Sequence, residues 1–235
     1  MKKWWIQSLQ FTAAVAFMAA AFFAGRQAAV TVSVTNQETD AKAKYCVVVD
    51  AGHGGDDPGK VGINGMLEKE LNLQIAKKLA VFLEMADVEV VMTRTEDRGL
   101  YEEGTSGKKA QDMKRRVELM ETHAPDLVIS IHQNSYGDET VRGAQVFYYT
   151  GSAEGKKLAQ ILQHRLVEGL DPANHRMEKD NDSYYLLKKT SRPIVIAECG
   201  FLSNPDEATL LCDPLYQEKA AWHLHMGIML YLNDI

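Results

Sequence analysis

The sequence predicts an α/β fold in which a mainly parallel sheet forms the middle of three layers and helices cover both of its faces. Short apolar runs rich in Val and Ile alternate along the chain with longer segments that carry apolar residues every three or four positions. The first pattern is typical of buried strands and the second of amphipathic helices. Strands that alternate with helices favour parallel pairing within a single layered domain.

The strands are predicted, in chain order, at the β-branched run that begins at 47 and at residues 88–93, 127–131, 144–149, 184–187 and 193–198. Helices with an apolar stripe are predicted at residues 66–85, around 110–120, around 158–166 and from 213 to about 232. Asp213 followed by Pro214 supplies a side-chain cap and a proline at the first helical position of the last helix. The polar stretch 171–183 predicts an exposed loop, which we expect to lie over one side of the functional site described below.

The composition fits one globular domain. The 235 residues are 46% hydrophobic and 25% charged, which is enough apolar material to bury a sizeable core. A formal net charge of -6 argues against a nucleic-acid surface, because phosphate binding needs clustered Lys and Arg. The three cysteines are an odd number without C-x-x-C spacing, so the sequence indicates buried free thiols rather than disulfides or a thiolate metal site.

Residues 1–32 have the layout of an export signal or a membrane anchor. Two lysines precede an apolar stretch that runs from about 11 to 24. An A-x-A pair lies inside this stretch rather than after it, which favours an anchor that is cleaved slowly or not at all. Residues 33–44 are polar and predict a linker. The folded domain at 45–235 is therefore expected to act outside the cytoplasm.

Three of the predicted strands lead to a residue that can bind a metal or transfer a proton. His53 follows the first strand in a Gly-rich loop, His132 follows residues 127–131, and Glu198 ends residues 193–198. Parallel strands bring their carboxyl ends to one edge of the sheet, and ligands of open α/β sheets bind in the crevice beyond that edge. We therefore expect these three side chains to share one site.

A catalytic zinc ion takes three protein ligands from His, Glu or Asp and keeps a fourth position open. His53, Glu68 and His132 would satisfy that count. Asp56 competes with Glu68, since it follows His53 at an H-x-x-D spacing that resembles the H-x-x-E loop of zinc carboxypeptidases. The spacing alone leaves the choice between the two carboxylates open. The glycines around His53 favour a functional loop, because they allow tight turns and close approach to a ligand.

Two further acids end predicted strands. Asp50 is a candidate for orienting a ligand imidazole, with ordinary loop capping as the alternative. Glu198 emerges from an apolar run, where burial raises the pKa of a carboxyl group. Such a group suits the acceptance of a proton from water and its return to a leaving amine, with a loop salt bridge as the alternative. The P-loop, dinucleotide, G-x-S-x-G and H-E-x-x-H motifs are absent from the sequence.

Five blocks of the sequence occur in a recognisable order: VVVDAGHGGDDPG at 47–59, GMLEKELNL at 65–73, TRTED at 93–97, LVISIHQN at 127–134 and IVIAECGFLSN at 194–204. Together they resemble the zinc-dependent N-acetylmuramoyl-L-alanine amidases of the type 3 class. The resemblance implies that His53, Glu68 and His132 bind one zinc ion and that Glu198 is the catalytic carboxylate. It covers the chain from Cys46 onward.

Within these blocks, three more residues are candidates for contact with the substrate or for support of the metal ligands. They are Arg94, Gln133 and Asn134. Gln133 departs from the family, which more often has Ala between the His and the Asn. Residues 104–109 make the loop after TRTED longer than in a minimal member.

The resemblance implies hydrolysis of the amide between N-acetylmuramic acid and L-alanine in peptidoglycan. An export segment followed by a single catalytic domain is similar to the germination-specific amidases of spore-forming bacteria. This implies removal of stem peptides from spore cortex for muramic-δ-lactam formation, cooperation with a polysaccharide deacetylase, a possible lipoprotein activator, and a location between the two membranes of the developing spore. The alternatives are a zinc carboxypeptidase that acts on wall peptides and a wall-binding protein whose metal site is dormant until a partner docks.

Overall fold

The computed structural model describes residues 43–234 and, apart from these, only Met18. The predicted export or anchor segment at 1–32 and nearly all of the linker at 33–44 therefore lie outside the described residues, and both stay predictions. Ala43–Ile235 forms one compact unit. Among the residues that the structure describes, no helix is both long enough and apolar enough to cross a membrane.

The described part of the chain alternates strands and helices, as the sequence predicts. The strands are β1 (Tyr45–Ala51), β2 (Val88–Met92), β3 (Leu127–Asn134), β4 (Gln145–Tyr149), β5 (Lys179–Asn181) and β6 (Ile194–Phe201). The helices are α1 (Glu68–Glu84), α2 (Lys108–His123), α3 (Ala153–Leu170), α4 (Tyr185–Lys189), α5 (Pro205–Leu211) and α6 (Pro214–Leu232).

The strands form one sheet in the order β2-β1-β3-β6-β4-β5. The pairs β1–β2, β1–β3 and β3–β6 are parallel, whereas β4 is antiparallel to β6 and β5 is parallel to β4. The mainly parallel sheet is therefore confirmed. Because β1, β3 and β6 are parallel neighbours, their carboxyl ends lie side by side at one edge, with His132 opposite Glu198 in the register of β3 and β6.

Helices cover both faces of the sheet. In β1, Val47 and Val49 point into a core shared with α1, α3 and α6, and Val48 points into a second core shared with α2 and α4. This alternation follows from the period of two in a strand. The three cysteines are free, and of these Cys199 is buried while the other two are half-buried.

The predicted strand at 184–187 is wrong, since these residues enter helix α4. Tyr184 and Tyr185 favour a strand by propensity, but the two leucines after them favour a helix, and the Asn181 side chain adds a local signal for the helix. Its Oδ1 accepts hydrogen bonds from the backbone N–H groups of Ser183 at 2.8 Å and Tyr184 at 2.7 Å. This local turn directs the chain into a helix. The polar stretch 171–183 likewise contains the short strand β5, whose polar residues suit an edge position.

Helix α5 was not predicted. Asn204 caps it by accepting a hydrogen bond from the N–H of Glu207 at 3.0 Å, and Pro205 occupies its first turn. This is the same Asx-Pro signal that correctly predicts the start of α6 at Asp213 and Pro214.

Candidate active site

Three predicted ligands meet at the carboxyl edge of the sheet. His53 Nε2 lies 3.2 Å from Glu68 Oε2, and His132 Nδ1 lies 2.9 Å from Glu68 Oε1. The two imidazole rings are 5.0 Å apart between centroids and nearly perpendicular. These three residues form a group whose donor atoms all lie within 4.8 Å of one another. We call this group the His-Glu-His triad.

The loop after β1 adopts unusual backbone geometry to bring His53 to Glu68. His53 has a φ of 62°, a left-handed conformation that is uncommon for a residue with a Cβ. Gly59, with a φ of 69°, lies so close that a Cβ at this position would stand 2.5 Å from Glu68 Oε2 and 2.7 Å from His53 Cδ2. A side chain at 59 would therefore collide with the triad, which explains the glycine.

Glu68 is buried and accepts several hydrogen bonds. The N–H of Lys60 donates to its Oε2 at 2.8 Å, and the N–H of Gln133 donates to its Oε1 at 3.2 Å. Burial raises the pKa of Glu68, but the bonds and charges of His132 and His53 outweigh burial and hold it well below its usual range. Burial lowers the pKa of His132, and the Glu68 carboxylate outweighs that effect and raises it. Glu68 is therefore an ionised carboxylate between two imidazoles, a form that could bind a metal ion.

The triad fits a zinc ion by two observations. Its donor set, two imidazoles and one carboxylate, is one that catalytic zinc sites use. The donor atoms that the three residues offer, one from each, all lie within 4.8 Å of one another, and the residues line one cavity. The residues present are therefore suited to a small divalent cation.

Glu198 lies next to the triad on β6, where the residue is 8% exposed. Among the described residues, its Oε2 has no hydrogen-bond partner. Burial raises the pKa of Glu198 to about 7, with opposing contributions from His132 and His53 and a reinforcing one from Glu68. The side chain is thus a buried acid with a free oxygen, close to the ligands without bonding to them.

The raised pKa predicts a pH-dependent stability of the metal-free protein. The pKa of Glu198 is about 7 when folded, against 4.5 for the ordinary group. Its contribution to stability is therefore fully present below pH 4.5 and is lost as the pH rises through 7. Between pH 5 and 8, we expect metal-free wild type to lose up to about 3 kcal/mol relative to Glu198→Gln. Urea unfolding in chelator at several pH values measures this, and parallel pH profiles of the two proteins would contradict it.

Asp50 lies beneath the triad and is bonded differently from the prediction. Its buried carboxylate accepts hydrogen bonds from Thr93 Oγ1 at 2.8 Å, Ser130 Oγ at 2.5 Å and Arg116 Nη1 at 2.5 Å. Burial raises the pKa of Asp50, and the Arg116 guanidinium and these hydroxyls outweigh burial and lower it. In this structure Asp50 thus orients Arg116 rather than a ligand imidazole.

Arg116 connects Asp50 with the loop that carries His53. It is buried, and its Nη2 donates to the backbone oxygen of His53 at 2.7 Å while its Nη1 donates to that of Ala51 at 2.9 Å. The guanidinium therefore holds the His53 backbone in its left-handed conformation. Sequence reasoning missed Arg116, since it lies 66 positions from Asp50 in the middle of a helix.

Replacement of Arg116 by methionine is expected to destabilise the domain by about 3–5 kcal/mol, because it leaves the Asp50 carboxylate buried and unpaired. The neighbouring Arg115→Met is a matched control that removes an ion pair with the exposed Glu102, for which about 0–1 kcal/mol is expected. Urea unfolding measures both changes. Asp50→Asn added to Arg116→Met should recover part of the loss, and equal effects of the two single variants would refute the assignment.

A residue that was not predicted, Asp57, supports His53. Its Oδ2 lies 3.0 Å from His53 Nδ1, the nitrogen opposite the one that faces Glu68. A carboxylate on the outer nitrogen of a ligand imidazole fixes the ring orientation. Asp56, the rival ligand, points away from the triad and pairs with Lys108 Nζ at 2.6 Å. The geometry therefore favours Glu68 over Asp56.

The remaining candidates have distinct positions. Arg94 is buried, and its guanidinium donates to the backbone oxygens of Ala51 at 2.9 Å, Gly52 at 3.0 Å and Lys69 at 2.7 Å, so it ties the loop after β1 to α1. Gln133 and Asn134 line the cavity over the triad. Arg94 and Gln133 thus have supporting positions, since Gln133 is 2% exposed and its Nε2 donates to Asn72 Oδ1 at 3.3 Å, whereas the half-buried Asn134 has a position that a substrate could reach.

The cavity over the triad has a volume of about 600 Å³. One wall is formed by the loop after β1 and the start of α2, including Lys109, and the other by Tyr184 and Tyr185 at the start of α4. The triad and Glu198 lie at its base. The site therefore combines a group of three residues that could hold a metal ion and a buried acid in one open cavity.

The sequence profile of a family described as N-acetylmuramoyl-L-alanine amidase matches residues 47–229. The chain belongs to this family. It is therefore a peptidoglycan hydrolase that cleaves the amide between N-acetylmuramic acid and L-alanine, and the resemblance inferred from the five sequence blocks is confirmed. The family is typically metal-dependent, in agreement with the triad.

Curated and solved relatives support this membership. A germination-specific N-acetylmuramoyl-L-alanine amidase of Bacillus subtilis strain 168 is 38% identical over 191 residues, which cover 80% of this amidase and 80% of the relative. The CwlD amidase of Clostridioides difficile, solved in complex with the GerS lipoprotein, has a TM-score of 0.79 at 38% identity and covers 81% of this chain and 100% of its own. The amidase AmiC2 of Nostoc punctiforme has a TM-score of 0.73 at 31% identity, with coverage of 82% and 99%.

Proposed function

We propose that this amidase is a zinc enzyme in which His53, Glu68 and His132 hold the ion and Glu198 transfers the proton. The observation that carries the proposal is the buried Glu198 oxygen without a partner, next to a three-residue group of zinc-type donors at the base of one cavity. Imidazole with carboxylate suits zinc, and thiolate ligands are not part of the group. A zinc ion there supplies Lewis-acid polarisation of the amide carbonyl and of water.

Residues of the chain carry out proton transfer and hold the proposed ligands in position. Glu198 accepts a proton from the attacking water through its free oxygen and returns the proton to the alanine nitrogen as the amide bond breaks. A pKa near 7 suits both directions of this transfer. Asp57 orients the His53 ring, and Arg116 holds the backbone of the same residue. The open cavity admits the muramyl group and the start of the stem peptide.

The carboxypeptidase alternative has less support. It requires Asp56 as a ligand together with His53, but the Asp56 side chain is exposed and paired with Lys108. The backbone of Asp56 is also held by the neighbouring loop, since its N–H donates to Tyr101 Oη at 2.7 Å. The loop that carries Asp56 is thus tied outward, away from the triad.

We further propose that the substrate is spore cortex peptidoglycan, whose stem peptides are removed before muramic-δ-lactam formation with a polysaccharide deacetylase. The similarity to a germination-specific amidase over 80% of both chains supports this role. The structure of the CwlD relative in complex with the GerS lipoprotein supports a lipoprotein partner for this chain, and we propose that this partner is an activator. Action outside the cytoplasm, between the two membranes of the developing spore, would follow from such a substrate.

The test is incubation of the purified chain with peptidoglycan sacculi, with and without chelator and with zinc restored, while newly exposed L-alanine amino groups are counted. Cleavage that chelator abolishes and zinc restores is the expected result. Release of single amino acids from peptide ends would instead indicate a carboxypeptidase. Absence of cleavage with stoichiometric zinc and a lipoprotein partner present would contradict the proposal, whereas cleavage only with the partner would indicate a site that is dormant without it.

A further inference from the structure

Tyr184 lines the cavity that contains the triad and Glu198, but neither the proposed zinc binding nor the proposed proton transfer uses it. It immediately precedes helix α4, and its backbone N–H donates to Asn181 Oδ1 at 2.7 Å. The residue is 36% exposed, so its ring is partly covered by the protein and partly open. A tyrosine in this position can offer its hydroxyl to a molecule that enters the cavity.

The sheet brings the surroundings of Tyr184 close to Glu198. In β6, Ile196 and Glu198 point to the same face, because side chains alternate with a period of two along a strand. Phe147 on β4 stands opposite Ile196, which makes Phe147 and Glu198 diagonal neighbours on that face. Diagonal neighbours are about 7–8 Å apart, within reach of aromatic and long side chains.

The Tyr184 ring packs on Phe147. The two ring centroids are 5.5 Å apart and the planes meet at 60°, which is an edge-on contact. Helix α4 covers the same face of the sheet, since Leu186 and Leu187 belong to the same buried core as Phe147. The ring is therefore fixed on one side by an aromatic contact and on the other by the start of α4, and it lies on the face that carries Glu198.

The electrostatics of Tyr184 agree with this position. Burial raises the pKa of Tyr184, and the negative charges of Glu198 and Glu68 raise it further. The phenol therefore keeps its proton at neutral pH and is a hydrogen-bond donor. Within the part of the chain that the structure describes, the hydroxyl has no hydrogen-bond partner. The donor is thus available to a ligand.

Charged donors elsewhere in the cavity are already paired. The guanidinium of Arg116 is bonded to Asp50 and to backbone oxygens. Lys109 belongs to the opposite wall, where its Nζ lies 3.4 Å from Asp57 Oδ2. Tyr184 differs from both, because its donor is neutral, unpaired and on the side of the cavity near the acid on β6.

We propose that Tyr184 is a further catalytic residue, whose hydroxyl donates a hydrogen bond to the carbonyl oxygen of the scissile amide as negative charge develops there. Attack of water on the carbonyl carbon moves an electron pair onto this oxygen. A donor that is already fixed in the cavity stabilises that charge more than it stabilises the neutral amide. Tyr184 keeps its own proton throughout, so proton transfer remains with Glu198. The proposal rests on the proposed function, because it takes Glu198 as the group beside the reacting water.

The test uses the zinc-loaded full chain and a soluble muropeptide that contains the N-acetylmuramoyl-L-alanine amide. Tyr184→Phe keeps the ring and its contact with Phe147 and removes only the hydroxyl. We expect kcat to fall by about 100-fold with KM nearly unchanged, since loss of one such donor costs about 10²–10³-fold in kcat. The zinc content should stay at one ion per chain. The unfolding midpoint should stay near that of wild type, because the hydroxyl has no partner among the described residues.

A binding measurement gives a readout that does not depend on turnover. A phosphinate analogue, in which a P–O⁻ group replaces the amide carbonyl, carries negative charge where the amide oxygen develops it. Calorimetry should show that Tyr184→Phe weakens binding of this analogue by a factor similar to the loss in kcat. Tyr149→Phe is the matched control and should keep the wild-type kcat and affinity. Tyr149 is half-buried at the end of β4 away from Glu198, packs against the same core as Phe147 and does not line the cavity.

Wild-type kcat in Tyr184→Phe would overturn the Tyr184 proposal and leave the proposed function standing. The same holds for a rise in KM alone, which a role only in substrate binding would give. Loss of zinc or of folding stability in parallel with activity would also overturn it, because the hydroxyl would then have a structural role. Absence of cleavage by the zinc-loaded wild type would instead overturn the proposed function, and the Tyr184 proposal with it.

Discussion

Glu198→Gln is expected to lower kcat by about 10³-fold while zinc remains bound at one ion per chain, since general acid–base catalysis contributes about 10²–10⁴-fold. Glutamine has nearly the shape of glutamate but can neither accept a proton from water nor deliver one to the alanine nitrogen. Glu198 is not part of the triad, whose donor atoms are supplied by His53, Glu68 and His132. The amide-cleavage rate and the zinc content of the purified variant measure the two expectations separately.

Glu89→Gln is the matched control for this experiment. Glu89 also lies in a strand, β2, but it is exposed and distant in strand order from β6. Full activity in the control and a large loss in Glu198→Gln would identify the proton-transfer group. Turnover above about a tenth of wild type in Glu198→Gln would contradict the assignment of Glu198 as the proton-transfer group. Loss of zinc in that variant would mean that Glu198 supports zinc binding instead.

Much of this site could be predicted because three of its residues follow apolar runs of the sequence that form strands. The runs that lead to His53, His132 and Glu198 are each dense in β-branched residues, and burial on both faces of a parallel sheet requires that composition. Once the strands are parallel neighbours, their carboxyl ends must meet. Physical reasoning from the sequence therefore predicted the location of the site together with the layered fold.

The choice between Glu68 and Asp56 could not be predicted in this way, because it depends on the path of one loop. The left-handed φ of His53 and the glycines after it reverse the chain, which points Asp56 toward Lys108 and returns the loop to Glu68. Spacing along the sequence carries no information about that reversal. The resemblance to a known family selected Glu68 where the spacing left both open.

The supporting residues were harder still to predict. Arg116 meets Asp50 and the backbone of His53 only because α2 packs across the sheet, and neither contact follows from a local pattern. Asp57 lies four positions after His53 in a loop, where such spacing has no regular geometric meaning, unlike in a helix. These contacts depend on tertiary structure, whereas the proposed ligands lie in or next to recognisable elements: His53 follows β1, Glu68 begins α1 and His132 lies in the last part of β3.

His132→Ala is expected to abolish both zinc binding and amide cleavage. Removal of one of three protein ligands leaves His53 and Glu68, and a two-ligand site should lose more than about 100-fold in metal affinity, since even changes behind the ligands cost about 10–100-fold. The Glu68 carboxylate also loses its 2.9 Å contact with the ring. Zinc titration of the metal-free proteins measures the affinity directly.

His164→Ala is the matched control, because His164 is an exposed histidine on α3. Zinc at about 100 times its Kd should stabilise wild type and the control by about 2.7 kcal/mol, because the ion binds the folded state. The same concentration should leave the unfolding midpoint of His132→Ala nearly unchanged. Equal stabilisation of all three proteins by zinc would mean that the ion binds elsewhere, and the triad would then be three polar side chains that bond to one another without a metal.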